Sequence, residues 1–119
     1  MDEDFLKEVF RKLTQGDYDS RWLVSAYTKV GHMLAEVKAE ADDAAAVRKQ
    51  AEAQAFIKAR EEGRAVELAN RLAVVTTFDL ARAEVAANRR KNKLVHLREA
   101  VGKAMSYSMD IGDWEDAGS

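Results

Sequence analysis

Apolar positions along this chain recur with the spacing of helices. Phe5, Leu6, Val9, Phe10 and Leu13 fall on one face at i, i+1, i+4, i+5 and i+8, which predicts a short helix over 4–13. Thr14-Gln15-Gly16-Asp17 interrupts it. Gly16 suits the left-handed position that follows a helix end. Asp17 or Asp19 can cap the next helix by accepting its orphan N–H groups. A long helix is predicted over 18–62, interrupted only by Gly31 and ended by Gly63; at 1.5 Å per residue it is about 60 Å long.

That helix carries a seam alternating steps of four and three: Leu23, Tyr27, Val30, Leu34, Val37, Ala41, Ala44, then Arg48, then Ala51 and Ala55. A second seam runs through Leu80, Ala83, Ala87, then Arg90, then Leu94, Leu97, Val101, Ala104 and Ser108, ending near Ile111. Both are heptad-like. The second predicts a long helix over 77–109, capped by Thr76 or Thr77. Between the two, 63–76 is a turn or a short helix carrying Val66, Leu68, Ala69 and Leu72, and 110–119 forms an acidic tail. Folding the seams back antiparallel about residue 69 sets Leu34 against Ala104, Val37 against Val101, Ala41 against Leu97, Ala44 against Leu94, Ala51 against Ala87 and Ala55 against Ala83. Arg48 then faces Arg90. The expected fold is all-α, a single domain over 1–109: a short N-terminal helix followed by a long, coiled-coil-like antiparallel helical hairpin.

Composition agrees. The chain of 119 residues has no Pro, no Cys and only six Gly, with 34% charged residues, a mixture that favours long helices over strands. Without Cys there is no disulfide framework, zinc knuckle or thiol nucleophile. No apolar run approaches the roughly 18 residues of a membrane span. Met1-Asp2-Glu3-Asp4 is acidic where a signal peptide would be basic. A cytoplasmic protein with no membrane association is expected. Two helices with an alanine seam bury little apolar area, about 25 cal/mol per Å², and chains this small are marginal. Seven of the nine aromatics lie in the first 27 residues or after residue 106. They either pack the first helix or join subunits, and a homo-oligomer is expected, with Phe5, Phe10, Trp22, Tyr27 and Tyr107 as the candidate contacts.

Catalytic chemistry finds no support. His32 and His96 are the only histidines, and neither belongs to an HExxH or a Glu-x-x-His pair. The hairpin register brings His96 and Glu99 near Glu40, Asp42 and Asp43, which reads as a solvated charged face. The glycines are scattered, so there is no phosphate loop. No enzyme, no metal and no cofactor is expected.

Charge is segregated along the chain although the net is only −2. Residues 82–103 hold Arg82, Arg89, Arg90, Lys91, Lys93, Arg98 and Lys103 against Glu84 and Glu99. On a helix Arg89 and Lys93 share a face and can straddle a phosphate backbone, binding by counterion release with little sequence preference. The alternative is a coiled-coil flank paired with Asp42, Asp43 and Glu52 on the facing helix. A second cationic feature is Phe56-Ile57-Lys58-Ala59-Arg60 at the end of the long helix, where cations also suit the helix dipole.

With Ile57-Lys58-Ala59-Arg60 placed there, after a stretch reading Tyr27-Thr28-Lys29 through Glu36-Val37-Lys38-Ala39-Glu40, the chain resembles the UvsY-type recombination mediators of T-even-like phages. That family combines a short N-terminal helix, a long helix ending in an L-K-A-R-type motif, a turn and a second long helix; the layout matches over roughly residues 5–111. In the family the motif continues with apolar, acidic and aromatic residues, whereas Glu61-Glu62-Gly63 follow here, and Phe56 is the nearest aromatic. The resemblance implies DNA recombination and repair in a bacterial host cytoplasm. It implies a ring of about six or seven subunits that binds single-stranded DNA and loads a RecA-like recombinase onto strands coated by single-strand binding protein. Lys58 and Arg60 then contact phosphates, and on charge alone Arg64, Arg89, Arg90 and Lys93 extend the basic surface.

The tail from Asp110, with Trp114 inside it, reads as a solubilising segment, as a return of Trp114 to the aromatic cluster, or as a hook for a partner or a DNA mimic. A rival to the mediator reading is a helical structural or adaptor protein without DNA binding, such as a phage assembly factor or an inhibitor of a host protein.

Overall fold

The computed structural model describes the backbone of residues 3–118 and the side chains of 3–108. The chain is all-α, a short N-terminal helix followed by a long helical hairpin: α1 (Glu3–Gln15), α2 (Ser20–Glu61), α3 (Val66–Thr76) and α4 (Phe78–Gly118). No helix among the described residues is long and apolar enough to cross a membrane.

Helix ends form where the local chemistry directs them. Gly16 and Gly63 adopt φ +67° and +85°, the left-handed conformation that glycine takes without a steric penalty. At α1 the Asp17 N–H donates to the Lys12 carbonyl, and after α2 the Arg64 N–H donates to that of Ala59 and the Gly63 N–H to that of Arg60. These are the bonds of a glycine-terminated helix. Asp19 caps α2, its Oδ1 accepting from the Trp22 N–H at 2.7 Å.

The expected reversal about residue 69 does not occur. The chain turns at 62–65, and α3 is already the start of the return limb. Thr77 joins α3 to α4: its N–H donates to the Ala73 carbonyl, and its own carbonyl accepts from the Ala81 N–H. The threonines do not cap α4. The Thr76 and Thr77 hydroxyls turn back onto the carbonyls of Leu72 and Ala73, at 2.6 and 2.7 Å, a bond that often bends a helix.

The chain divides into two compact units, residues 36–91 and the remainder. Within 36–91 the buried residues are Val37, Ala41, Ala59, Ala69, Ala73, Thr77 and Ala87. This seam of small side chains lets helices approach closely but removes little apolar surface from water. Arg48 sits in it and meets Glu84 through its Nε, while its Nη1 bonds Glu52 at 2.7 Å. Arg90 and Ala83 are exposed. The expected Arg48–Arg90 juxtaposition is therefore wrong, as are the Ala51–Ala87 and Ala55–Ala83 pairs. Two guanidiniums facing each other in a half-buried seam would repel without a counter-charge, whereas this register supplies two carboxylates. The hydrogen bond to Glu84 raises the Arg48 pKa above its ordinary value, so the cation is kept.

In the other unit α1 closes over α2 and the later part of α4. Val9, Leu23, Ala26 and Val101 form its core, with Phe5, Leu13, Trp22, Tyr27, Leu97 and Met105 among the residues packed around it. Here α2 and α4 meet at Tyr27 and Gly102, and at Gly31 and Arg98, shifting the expected Leu34–Ala104 register by about two and a half turns. Gly31 costs its helix about 1 kcal/mol relative to alanine. It admits Arg98, whose guanidinium would lie 3.2–3.3 Å from any Cβ there and instead lies over the Tyr27 ring at 4.4 Å.

Leu94 is 1% exposed, whereas Arg90, expected in the same seam, faces water. Leu94→Ala should cost about 2–5 kcal/mol in urea unfolding and Arg90→Ala less than about 0.5 kcal/mol. Comparable losses from both variants would overturn the observed register.

Candidate functional site

The sequence-predicted cations divide by what already holds them. In Ile57-Lys58-Ala59-Arg60, Ala59 is buried and both cations are exposed. The Lys58 carbonyl accepts the Glu62 N–H, but the Lys58 ammonium has no partner among the described residues. Arg60 is engaged: its Nη1 donates to the Arg64 carbonyl at 2.8 Å, closing the turn after α2. Arg64 is exposed, with its Nε 3.7 Å from Glu62, a distance and exposure at which an ion pair contributes little. The turn thus presents Lys58 free, Arg64 loosely held and Arg60 committed to backbone.

Arg89 and Arg90 are exposed on α4 and make no ion pair among the described residues. The expected pairing of this flank with Asp42, Asp43 and Glu52 is not made, because Arg48 takes Glu52 and the two aspartates remain solvated. The Arg48–Glu84 register sets Arg89 level with about residue 43, more than about 20 Å along the axis from Lys58. The structure therefore holds two separate cationic patches in this unit. Lys93 belongs to the other unit, where it stands on the wall of a groove between α1 and α4.

The residues expected at subunit contacts also divide. Phe5, Trp22 and Tyr27 are half-buried around the core that seats α1. Lys29 lies 4.0 Å from the centre of the Phe5 ring and Lys12 lies 5.1 Å from that of Trp22, which stacks on Tyr18 at 6.3 Å. Such cation–π contacts contribute about 0.5–1 kcal/mol each at exposed sites. Phe10 and Tyr107 are each 67% exposed and make no such contact among the described residues.

His96, expected beside Glu40, Asp42 and Asp43, belongs to a different unit from those three. It lines the α1/α4 groove, 3.9 Å from Glu99 one turn away. No group of three or more potential metal ligands converges among the described residues.

Two features escaped the sequence pattern. One is the α1/α4 groove, since nothing in the spacing shows that Phe10 on the apolar face of α1 is left uncovered. The other is an outer apolar stripe, Val74, Phe78 and Val85, each half or more exposed, beside Arg48 and Glu84. The 4–3–4 spacing of Val74, Phe78, Ala81 and Val85 was its available signal.

Comparison with known proteins gives no match to a family model, to a curated protein or to a solved structure.

Because Arg60 holds the turn and Lys58 does not, Arg60→Ala should lower stability by up to about 1 kcal/mol. Lys58→Ala should change it by less than about 0.5 kcal/mol. Urea melts of the two variants decide the assignment, and equal effects would remove it.

Proposed function

We propose that this chain is a non-enzymatic, oligomeric single-stranded DNA-binding protein of the recombination-mediator type. It holds a strand by its phosphates and presents it to a RecA-like recombinase in place of single-strand binding protein. The observation that carries the reading is that three of the cations singled out by the motif and by the charge segregation, Lys58 beside the turn and Arg89 and Arg90 on α4, face solvent and make no ion pair among the described residues. Asp42 and Asp43 on α2 leave the second pair unneutralised. The resemblance of the helix layout and of Ile57-Lys58-Ala59-Arg60 to the UvsY-type mediators supplies the substrate class and the partners.

The mechanism is electrostatic. Each phosphate contact releases condensed counterions, so affinity is salt-dependent and tolerant of sequence. Two weak patches on one chain, repeated across an oligomer, act in concert because every contact after the first is intramolecular. A chain of net charge −2 can therefore hold a polyanion through local patches. Cations engaged in the fold, Arg48 and Arg60 above all, position the limbs and the turn that carry the free ones.

A second reading is a helical adaptor without DNA binding. The exposed Val74–Phe78–Val85 stripe favours it, because an apolar surface at heptad spacing suits a helix of a partner protein.

Binding of a fluorescent poly-dT oligonucleotide across a salt series separates the two. The mediator reading expects affinity that falls steeply with salt. Arg89→Ala with Arg90→Ala should lower the log–log salt slope by about 1.4, at roughly 0.7 per phosphate contact on a single strand. Lys58→Ala should lower it by about 0.7. A folded protein that shows no binding at about 50 mM salt would leave the adaptor reading.

A further inference from the structure

The groove between α1 and α4 has a volume of about 860 Å³. Its apolar lining comes from Leu6, Phe10 and Leu13 on α1 and from Leu94, Leu97 and Ala100 on α4. Phe10 borders it while 67% exposed, so a large aromatic surface in a concave setting is left uncovered. Single exposed apolar residues need no explanation, but a contiguous apolar concavity with a polar rim marks a docking surface.

The rim is mainly cationic. Lys7 on α1 and Lys93 on α4 border the groove, and neither makes an ion pair among the described residues. Glu3 is the one carboxylate among the described residues that line it. Arg11 is occupied by Glu8 at 2.6 Å, a bond that lowers the Glu8 pKa below its ordinary value. A complementary occupant is apolar along one stripe and acidic beside it.

The chain carries such a segment. α4 runs on to Gly118, and along it Tyr107, Ile111 and Trp114 recur at i, i+4 and i+7, the spacing of one helix face. Asp110, Asp113, Glu115 and Asp116 accompany them, and no Lys or Arg follows Lys103. The segment cannot reach the groove of its own chain while α4 stays helical. Residues 93–100 of that same helix form the groove wall, and Trp114 lies about 20 Å further along the axis.

We infer that the acidic end of α4 from one copy docks its Tyr107–Ile111–Trp114 stripe in the α1/α4 groove of a second copy, with its carboxylates set against Lys7 and Lys93. The contact is head-to-tail, joining different surfaces of the two copies, and such contacts close into rings when the rotation permits. The proposal rests on the oligomeric part of the proposed function and is independent of DNA binding.

Mixing two variants of the full chain tests it by light scattering. Phe10→Glu spoils the groove and keeps the segment; Trp114→Ala spoils the segment and keeps the groove. Phe10 lies outside the core cluster, and circular dichroism checks that the helices persist in both variants. The expected result is an assembled wild type, a monomer for each variant alone, and a species of two chains in the equimolar mixture, where one good groove meets one good segment. High salt should weaken the pair. Assembly that survives Trp114→Ala but not Phe10→Glu would assign the groove to another occupant and overturn the proposal. So would variants that are monomeric alone and remain so when mixed. A monomeric wild type whose Trp114 emission responds to Phe10→Glu would seat the segment in its own groove, which also overturns it. Loss of DNA binding with assembly intact would count against the proposed function alone.

Discussion

The contact of Arg48 with Glu84 governs how the long helices are read against each other. The seam around it consists of alanines, and an alanine seam fits a slipped copy of itself nearly as well as the native one. Van der Waals contact therefore selects the register only weakly. A half-buried guanidinium is far more selective, since it must meet carboxylates or pay the full cost of desolvation. Glu84 and Glu52 satisfy it in this register. The polar interruption is thus the most specific feature of an otherwise permissive interface, a role best attested for buried polar groups in coiled coils.

The unit containing α1 is held by different chemistry. Leu23, Val30, Leu94 and Val101 are fully buried there, and α1 adds Leu6 and Val9. Aromatic rings cover the edges and cations cover the rings: Lys29 on Phe5, Lys12 on Trp22 and Arg98 on Tyr27. Long basic side chains can bury their stems on apolar surface while their charges stay near water. Several of the chain's cations are structural for this reason. Gly31 belongs to the same arrangement, giving up helix propensity so that the Arg98 guanidinium fits over the Tyr27 ring.

The cations differ in what already holds them. Arg48, Arg60, Arg98, Lys12 and Lys29 each have a task within the fold. Lys58, Arg89 and Arg90 have none among the described residues, nor do Lys7 and Lys93 beside the groove. The first group orders the helices. The second offers charge to something outside the chain, a polyanion along the hairpin and an acidic segment at the groove. The outer stripe of Val74, Phe78 and Val85 makes a similar offer in apolar terms.

Local chemistry in the sequence determined the helices and most of their ends. Gly16, Gly63 and Asp19 act within a turn of their own position, so their roles are legible without a fold. Heptad spacing likewise identified Leu23, Val30, Val37, Leu94 and Val101 as buried. The acidic residues after Asp110 and Trp114 among them were legible as a pattern, although their side chains lie outside the described residues. Tertiary structure alone decided where the return limb begins. Val66–Thr76 has the composition of either a loop or a helix, and with it in the return limb the pairings inside each unit differ from the expected ones, that of Arg48 among them. Periodicity reports which face of a helix is apolar. Which carboxylate a buried guanidinium meets, whether Phe10 is covered, and which cations remain free depend on axial alignment between segments distant in sequence, and a one-dimensional pattern carries no measure of it.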